Sequence, residues 1–218
     1  MIIIPTGRYD YYLLKQAGRL VSYLNTREQI LRSAVQLFGT KGYQATSIQD
    51  ICELAGVSKG AVFHYFNNKN ELLFEIHEEI IDILITQCES IFKNDSLVPS
   101  QKLRELVDVM VGLMADYRPY IVVLFQEYIN IQEHKFDLVK ARRDRCEEIV
   151  AAVIKQGILS GEFRQDLEFS ILAKLFFGIC NWTYIWLNPE GPLTPQQIAE
   201  NIWKVFVGGL KAAITKGE

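Results

Sequence analysis

Residues 26–73 read TREQILRSAVQLFGTKGYQATSIQDICELAGVSKGAVFHYFNNKNELL, and the spacing of apolar residues in this stretch decides the fold. Ile30, Ala34, Leu37 and Phe38 fall on one side of a helix, and Gly42 follows where a left-handed residue ends it. Ile48, Ile51 and Cys52 turn inward on a second helix, and Ala55-Gly56-Val57 makes a tight turn whose glycine tolerates positive φ. Ser58 caps a short third helix in which Val62, Phe63 and Phe66 are the expected core anchors.

Two helices joined by a short glycine-containing turn are the layout of a DNA-reading helix-turn-helix. The third helix has suitable chemistry, because Lys59, Gly60 and Ala61 at its start are charged or small and allow close approach to a major-groove floor. His64 and Tyr65 offer hydrogen bonds to phosphates or base edges, and Lys69 follows where a cation meets the backbone. The alternative is a three-helix packing unit whose polar face sits in water.

The same three-to-four-residue period recurs along the remainder, and sustained two-residue alternation is absent, so the fold class is all-α. The spacing predicts nine helices, at about 26–40, 47–54, 58–65, 69–93, 100–115, 118–132, 135–160, 167–187 and 195–215. Capping signals support them: Thr26 with Gln29, Thr46 with Gln49, Asn68 with Glu71, and Thr194-Pro195 with Gln197. Breaks are read at 93–100, at Ser160-Gly161-Glu162 and at Asn188-Pro189-Glu190-Gly191-Pro192. The domain reading is an extension over 1–24, a helix-turn-helix domain over 25–69, and an effector-binding and dimerisation domain over 70–218.

The 218 residues are 49% hydrophobic and 22% charged, an ordinary globular composition. The net charge of −3 alone argues against a nucleic-acid binder, but it is unevenly spread. Up to Lys69 there are eight Lys/Arg against four Asp/Glu, a net of +4; the rest holds 15 against 22, a net of −7. A positive head on an acidic body fits a DNA-reading module joined to something else.

Cys52, Cys88, Cys146 and Cys180 stand 34 to 58 residues apart without metal-ligand spacing, and read as buried, reduced thiols of a cytoplasmic protein. No metal and no cofactor is expected. Met1-Ile2-Ile3-Ile4-Pro5 is too short for the core of a signal peptide, and Ile171 to Leu187 falls short of the ~20 apolar residues that span a bilayer, so no membrane role is expected. The chain shows no GxSxG, P-loop or GxGxxG before a helix, and His77-Glu78-Glu79 lacks the second histidine of a zinc-protease helix. An enzyme is therefore not expected.

The 26–73 stretch closely resembles the N-terminal signature of the TetR family of repressors. It carries LF-x-x-x-G-Y at Leu37 to Tyr43, T-S-I-x-D-I-x-x-x-A-G-V-S-K-G-x-x-x-x-Y-F at Thr46 to Phe66, and N-K-x-E-L-L at Asn68 to Leu73. The resemblance implies that Thr46 and Ser47 contact phosphate and that Lys59, Gly60, Ala61 and His64 lie in the major groove behind the Ser58 cap. It also implies that Tyr65 and Lys69 clamp the backbone. Family members often carry a basic arm before the first helix; here Arg19 and Arg27 are the nearby candidates.

The resemblance further implies a homodimer through the last two helices, a palindromic double-stranded operator, and release by a small molecule. Independently, Gly178, Cys180, Gly208 and Gly209 are small residues on apolar helices, while Trp182, Trp186, Trp203 and Phe206 supply interface-type aromatic anchors. A monomer that packs them internally is the alternative. Candidates for the effector pocket are Met110, Met114, Tyr117, Phe125, Tyr128, Phe176, Phe177, Trp182 and Tyr184, against the alternative that they are plain core. GEFRQDL, FFGICNWTYIW, PEGPLTPQQIAENI and GGL look like the C-terminal half of the branch that senses acyl-CoA esters. Arg142, Arg143 and Arg145 suit the phosphates of such a ligand, or form a solvated face paired with Glu147 and Glu148. The rival functional reading is a DNA-binding architectural or interaction protein without an effector, which a filled body lacking a cavity would favour.

Overall fold

The computed structural model describes residues 26–188 and 190–211. Among these the regular structure is helical: α1 (Thr26–Lys41), α2 (Ile48–Ala55), α3 (Lys59–Tyr65), α4 (Lys69–Lys93), α5 (Pro99–Asp116), α6 (Arg118–Gln126), the 3₁₀ turn η1 (Tyr128–Asn130), α7 (Glu133–Leu159), α8 (Phe169–Trp186) and α9 (Pro195–Leu210). An isolated bridge joins Phe163 to Lys211. The chain divides into two compact units between Lys69 and Asn70, a head and a body.

In the head, α1 buries Ile30, Leu31, Ala34, Val35 and Phe38, which meet Ile51 and Cys52 of α2 and Val62 and Phe66 around α3 in a small core. Removing each of the larger side chains among these, Val, Leu, Ile and Phe, from water contributes about 2 kcal/mol. Gly42 leaves α1 at φ 88°, its N–H donating to the Phe38 carbonyl, and the Tyr43 ring then turns back edge-on to Phe38. The Lys69 ammonium donates to the Tyr43 and Thr46 carbonyls at 2.8 Å each and stands over the Tyr43 ring, pinning the α1–α2 loop.

In the body, α5 packs against α7, α8 and α9. Its Leu103, Leu106, Val107, Met110 and Val111 are buried, and Arg104 ion-pairs with Glu200 of α9. Arg118 donates to the Tyr184 and Leu187 carbonyls and so satisfies the C-terminal end of α8. Gly157 of α7 is needed for closeness: the buried Phe163 ring lies where a Cβ would stand, and the Phe163 N–H donates to the Gly157 carbonyl.

Two helix boundaries differ from expectation. The helix expected over 118–132 stops at Gln126 and gives way to η1, because the buried Asn70 amide donates to the Asn130 carbonyl and the Asn70 oxygen accepts from Gln132 N–H, turning the chain. The last helix ends at Leu210, where Arg164 N–H takes the Leu210 carbonyl. The extension 1–24 and the residues after Lys211 lie outside the described residues.

Candidate nucleic-acid interface and effector cavity

The head presents α3 through two turns. Gly56 at φ 67° sends its N–H back to the Cys52 and Glu53 carbonyls, which ends α2 and lets the chain reverse within three residues. Ser58 then caps α3, its hydroxyl accepting from Ala61 N–H at 3.1 Å. Val62 and Phe66 fix the inner face, while Lys59, Gly60, His64 and Tyr65 are exposed and Ala61 is half-buried. His64 and Tyr65 meet edge to face, 4.9 Å between ring centroids.

Phe63 departs from expectation. It is 45% exposed rather than an anchor, and Lys59 Nζ stands 5.8 Å from its ring centre. The exposed edge of α3 thus carries an apolar surface that the helical pattern had assigned to the core.

Thr46 and Lys69 both direct their side chains to backbone carbonyls of the α1–α2 loop. Thr46 is buried, its hydroxyl donating to the Gly42 carbonyl at 2.8 Å, so it braces the loop and has no free side-chain group for a phosphate. The cap of α2 is Ser47, one residue later, in a reciprocal box with Asp50 instead of Thr46 with Gln49. The Lys41 ammonium, 2.8 Å from Asp50, together with Ser47, holds that carboxyl well below the usual carboxylate range. Ser47 itself is exposed. Lys69 directs its ammonium to loop carbonyls, and Arg27 stacks over the Phe66 ring; Arg19 lies outside the described residues.

The body holds a cavity of about 280 Å³. Of the expected lining, Met110, Met114, Phe125, Tyr128 and Phe177 are on its wall. Tyr117 is instead buried against Tyr120, Phe176 is core against Phe206, and Trp182 is 63% exposed on the surface. Tyr184 stacks on Phe125, 4.5 Å between centroids, and is not on the wall.

Sequence reasoning missed Ile80, Ile81 and Leu84 of α4, and Lys140, Asp144, Cys146 and Glu147 of α7. The signal lay in the apolar stripe of α4, which from sequence is indistinguishable from core.

The three arginines separate. Arg142 ion-pairs with Glu78 and Asp82, and Arg145 with Glu148 at 3.2 Å. Only Arg143 of the three lines the cavity, its guanidinium 4.9 Å from the Tyr128 ring centre, and among the described residues it has no carboxylate partner. Glu147 pairs with Lys174, not with an arginine.

On the surface of the body Ile171, Leu175, Ile179, Trp182 and Trp186 form an exposed apolar stripe along α8, and Val205 is exposed on α9. Gly178, Gly208 and Gly209 are also exposed. Cys180 and Phe206, expected among the interface residues, are buried within the unit, and Trp203 is half-buried.

Residues 96–210 match the family model for the tetracyclin repressor-like C-terminal domain, and residues 30–76 match that for bacterial regulatory proteins of the tetR family. The chain belongs to the TetR family. It is a helix-turn-helix transcriptional regulator, a DNA-binding protein and not an enzyme. It is 26% identical over 195 residues to the transcriptional repressor KstR2 of Mycobacterium tuberculosis, covering 88% of this chain and 96% of that one. The TetR-family regulator PfmR of Thermus thermophilus has a similar structure, with a TM-score of 0.76 at 29% identity over 84% of this chain and 99% of PfmR. AibR, solved in complex with isovaleryl coenzyme A and operator DNA, shares the fold, with a TM-score of 0.74 at 24% identity over 83% of this chain and 97% of AibR. No helix among the described residues is long and apolar enough to cross a membrane.

Proposed function

We propose that this TetR-family regulator is a repressor that holds a palindromic operator as a homodimer and is released when an acyl-CoA ester occupies the body cavity. The observation that carries the DNA half is the exposed edge of α3, with Lys59, Gly60 and His64 outward over a fully buried Val62. Lys59, Gly60, Ala61 and His64 face base edges in the major groove, and Tyr65 with the cap residues Ser47 and Ser58 meets phosphates. Thr46 and Lys69 act indirectly, by holding the loop that positions α2.

A palindrome requires two reading helices about 34 Å apart, and hence a two-fold partner. The apolar stripe of α8 with the exposed part of α9 is the surface for it, because exposed tryptophans and aliphatics in one row are what a dimer buries.

The cavity supports the effector half and speaks against an effector-free architectural protein. Its wall is mostly apolar, and Arg143 supplies a cation toward which a phosphate or carboxylate is drawn. At about 280 Å³ it suits the acyl part, with the nucleotide part outside. α4, whose first residue belongs to the head and whose Ile80, Ile81 and Leu84 line the cavity, is the element that transmits occupancy.

The test is operator affinity with and without acyl-CoA esters of graded chain length, free coenzyme A serving as control. At saturation a suitable ester weakens operator binding at least about tenfold, equivalent to 1.4 kcal/mol of preference between two states, and free coenzyme A does not. Operator affinity that ignores every ester bound by the body contradicts the reading.

A further inference from the structure

Phe63 is 45% exposed, whereas Val62 and Phe66 of the same segment are buried and hold the inner face of α3. Its place follows from helix geometry. Residues 59, 60 and 63 share one face at spacings of three and four, and a helical side chain leans toward the N-terminus, over the turn before its own Cα. The Phe63 ring therefore lies over the first turn of α3, and Lys59 Nζ stands 5.8 Å from its centre. Gly60, three residues before Phe63, is exposed and offers no side chain to cover the ring. Neither backbone strain nor crowding requires a glycine there: its φ is not positive, and a Cβ would stand in ordinary contact with Ser58 Oγ at 3.8 Å.

We propose that Phe63 reads DNA sequence, its ring packing against the 5-methyl group of a thymine in the major groove of each operator half-site. This role rests on the reading of α3 as the helix that enters the groove, and it goes further by naming a base. The major-groove edges of the four bases carry hydrogen-bond donors and acceptors, and the thymine methyl is the apolar group among them. Phenylalanine has no hydrogen bond to give or take, so on an intact duplex its contribution is apolar contact. The leading residues of a recognition helix are those that approach base edges, and the ring lies over that end of α3. A thymine methyl pressed onto the ring withdraws apolar surface of both from water. Adenine, guanine and cytosine carry no such group, so Phe63 selects thymine at one position of the half-site.

The test uses the full-length protein and an operator recovered with it from a random duplex library. Each thymine of the half-site is replaced in turn by deoxyuridine, at both symmetry-related positions. The exchange deletes the methyl and keeps every hydrogen-bonding group. At one thymine, wild-type affinity falls about fourfold per half-site, or about fifteenfold for the palindrome, the effect of returning one methyl group per half-site to water. Phe63→Ala, altered at an exposed position, keeps its thermal midpoint, binds the unmodified operator more weakly and is indifferent to deoxyuridine at that thymine. Wild-type affinity that ignores deoxyuridine at every thymine overturns the proposal without any variant. A methyl effect that persists unchanged in Phe63→Ala also overturns it, because the effect then comes from another side chain or from duplex stiffness. Lys59→Ala, measured alongside, separates the two kinds of failure. If it weakens operator binding while no methyl matters, α3 still reads DNA and only the role of Phe63 is lost; if it too has no effect, the reading of α3 falls with it.

Discussion

At the scale of single residues, close packing and burial make the sharpest predictions. A Cβ at Gly157 collides with the Phe163 ring, so Gly157→Ala destabilises by about 3 kcal/mol, through overpacking of a side chain with nowhere to go. Phe163→Ala removes the obstacle, and in that background Gly157→Ala costs little; a denaturation cycle in urea that finds the two changes additive contradicts this. His77 gives a pH dependence. It is fully buried, with its Nδ1–H on the Leu73 carbonyl, and burial lowers its pKa below the ordinary 6.5. Folded His77 stays neutral while the unfolded chain accepts a proton, so its contribution is complete above that value and is lost as pH falls toward the folded pKa. The urea midpoint therefore drops between about pH 7.5 and about pH 5.5, and His77→Gln flattens the drop; equal slopes in the two proteins would refute the assignment.

At the scale of elements, α8 carries the test of assembly. Its exposed row from Ile171 to Trp186 makes the monomer surface unusually apolar, and Trp182→Arg places a charge in the middle of it. The variant, altered at an exposed position, keeps its helical content and sediments as a monomer; a dimer of wild-type stability contradicts the assigned interface.

The helices were largely legible in the sequence because capping residues and apolar periods are local. Thr194 with Gln197 caps α9 as read, and α4 spans its expected range. What the sequence hid depended on tertiary partners and on the packing of whole faces. Asn70 turning the chain after Gln126, Thr46 facing inward and Phe63 facing outward are each decided by a neighbour 4 to 62 residues away or by the packing of a whole face. The cavity was half legible for the same reason. An apolar side chain on a wall and one in the core obey one pattern, and among three adjacent arginines only the placement of Glu78, Asp82 and Glu148 leaves Arg143 for the cavity.

At the scale of the molecule, a head of net charge +4 and a body of net charge −7 fit the proposed division of work between duplex and ligand. The head owes its rigidity to a small core of Ile30, Phe38, Ile51, Val62 and Phe66, and the body owes its chamber to helices that leave space around Met110 and Phe177. On the proposed reading, operator binding depends above all on the outer edge of α3. The direct measurement is the affinity of a Lys59→Ala, Tyr65→Phe double variant for an operator recovered from a random duplex library with the wild-type protein, alongside its thermal midpoint. An unchanged midpoint with operator binding weakened by about a hundredfold, from two lost contacts of about 1.4 kcal/mol each, is the predicted result. Wild-type affinity in a correctly folded double variant would show that α3 does not hold the DNA.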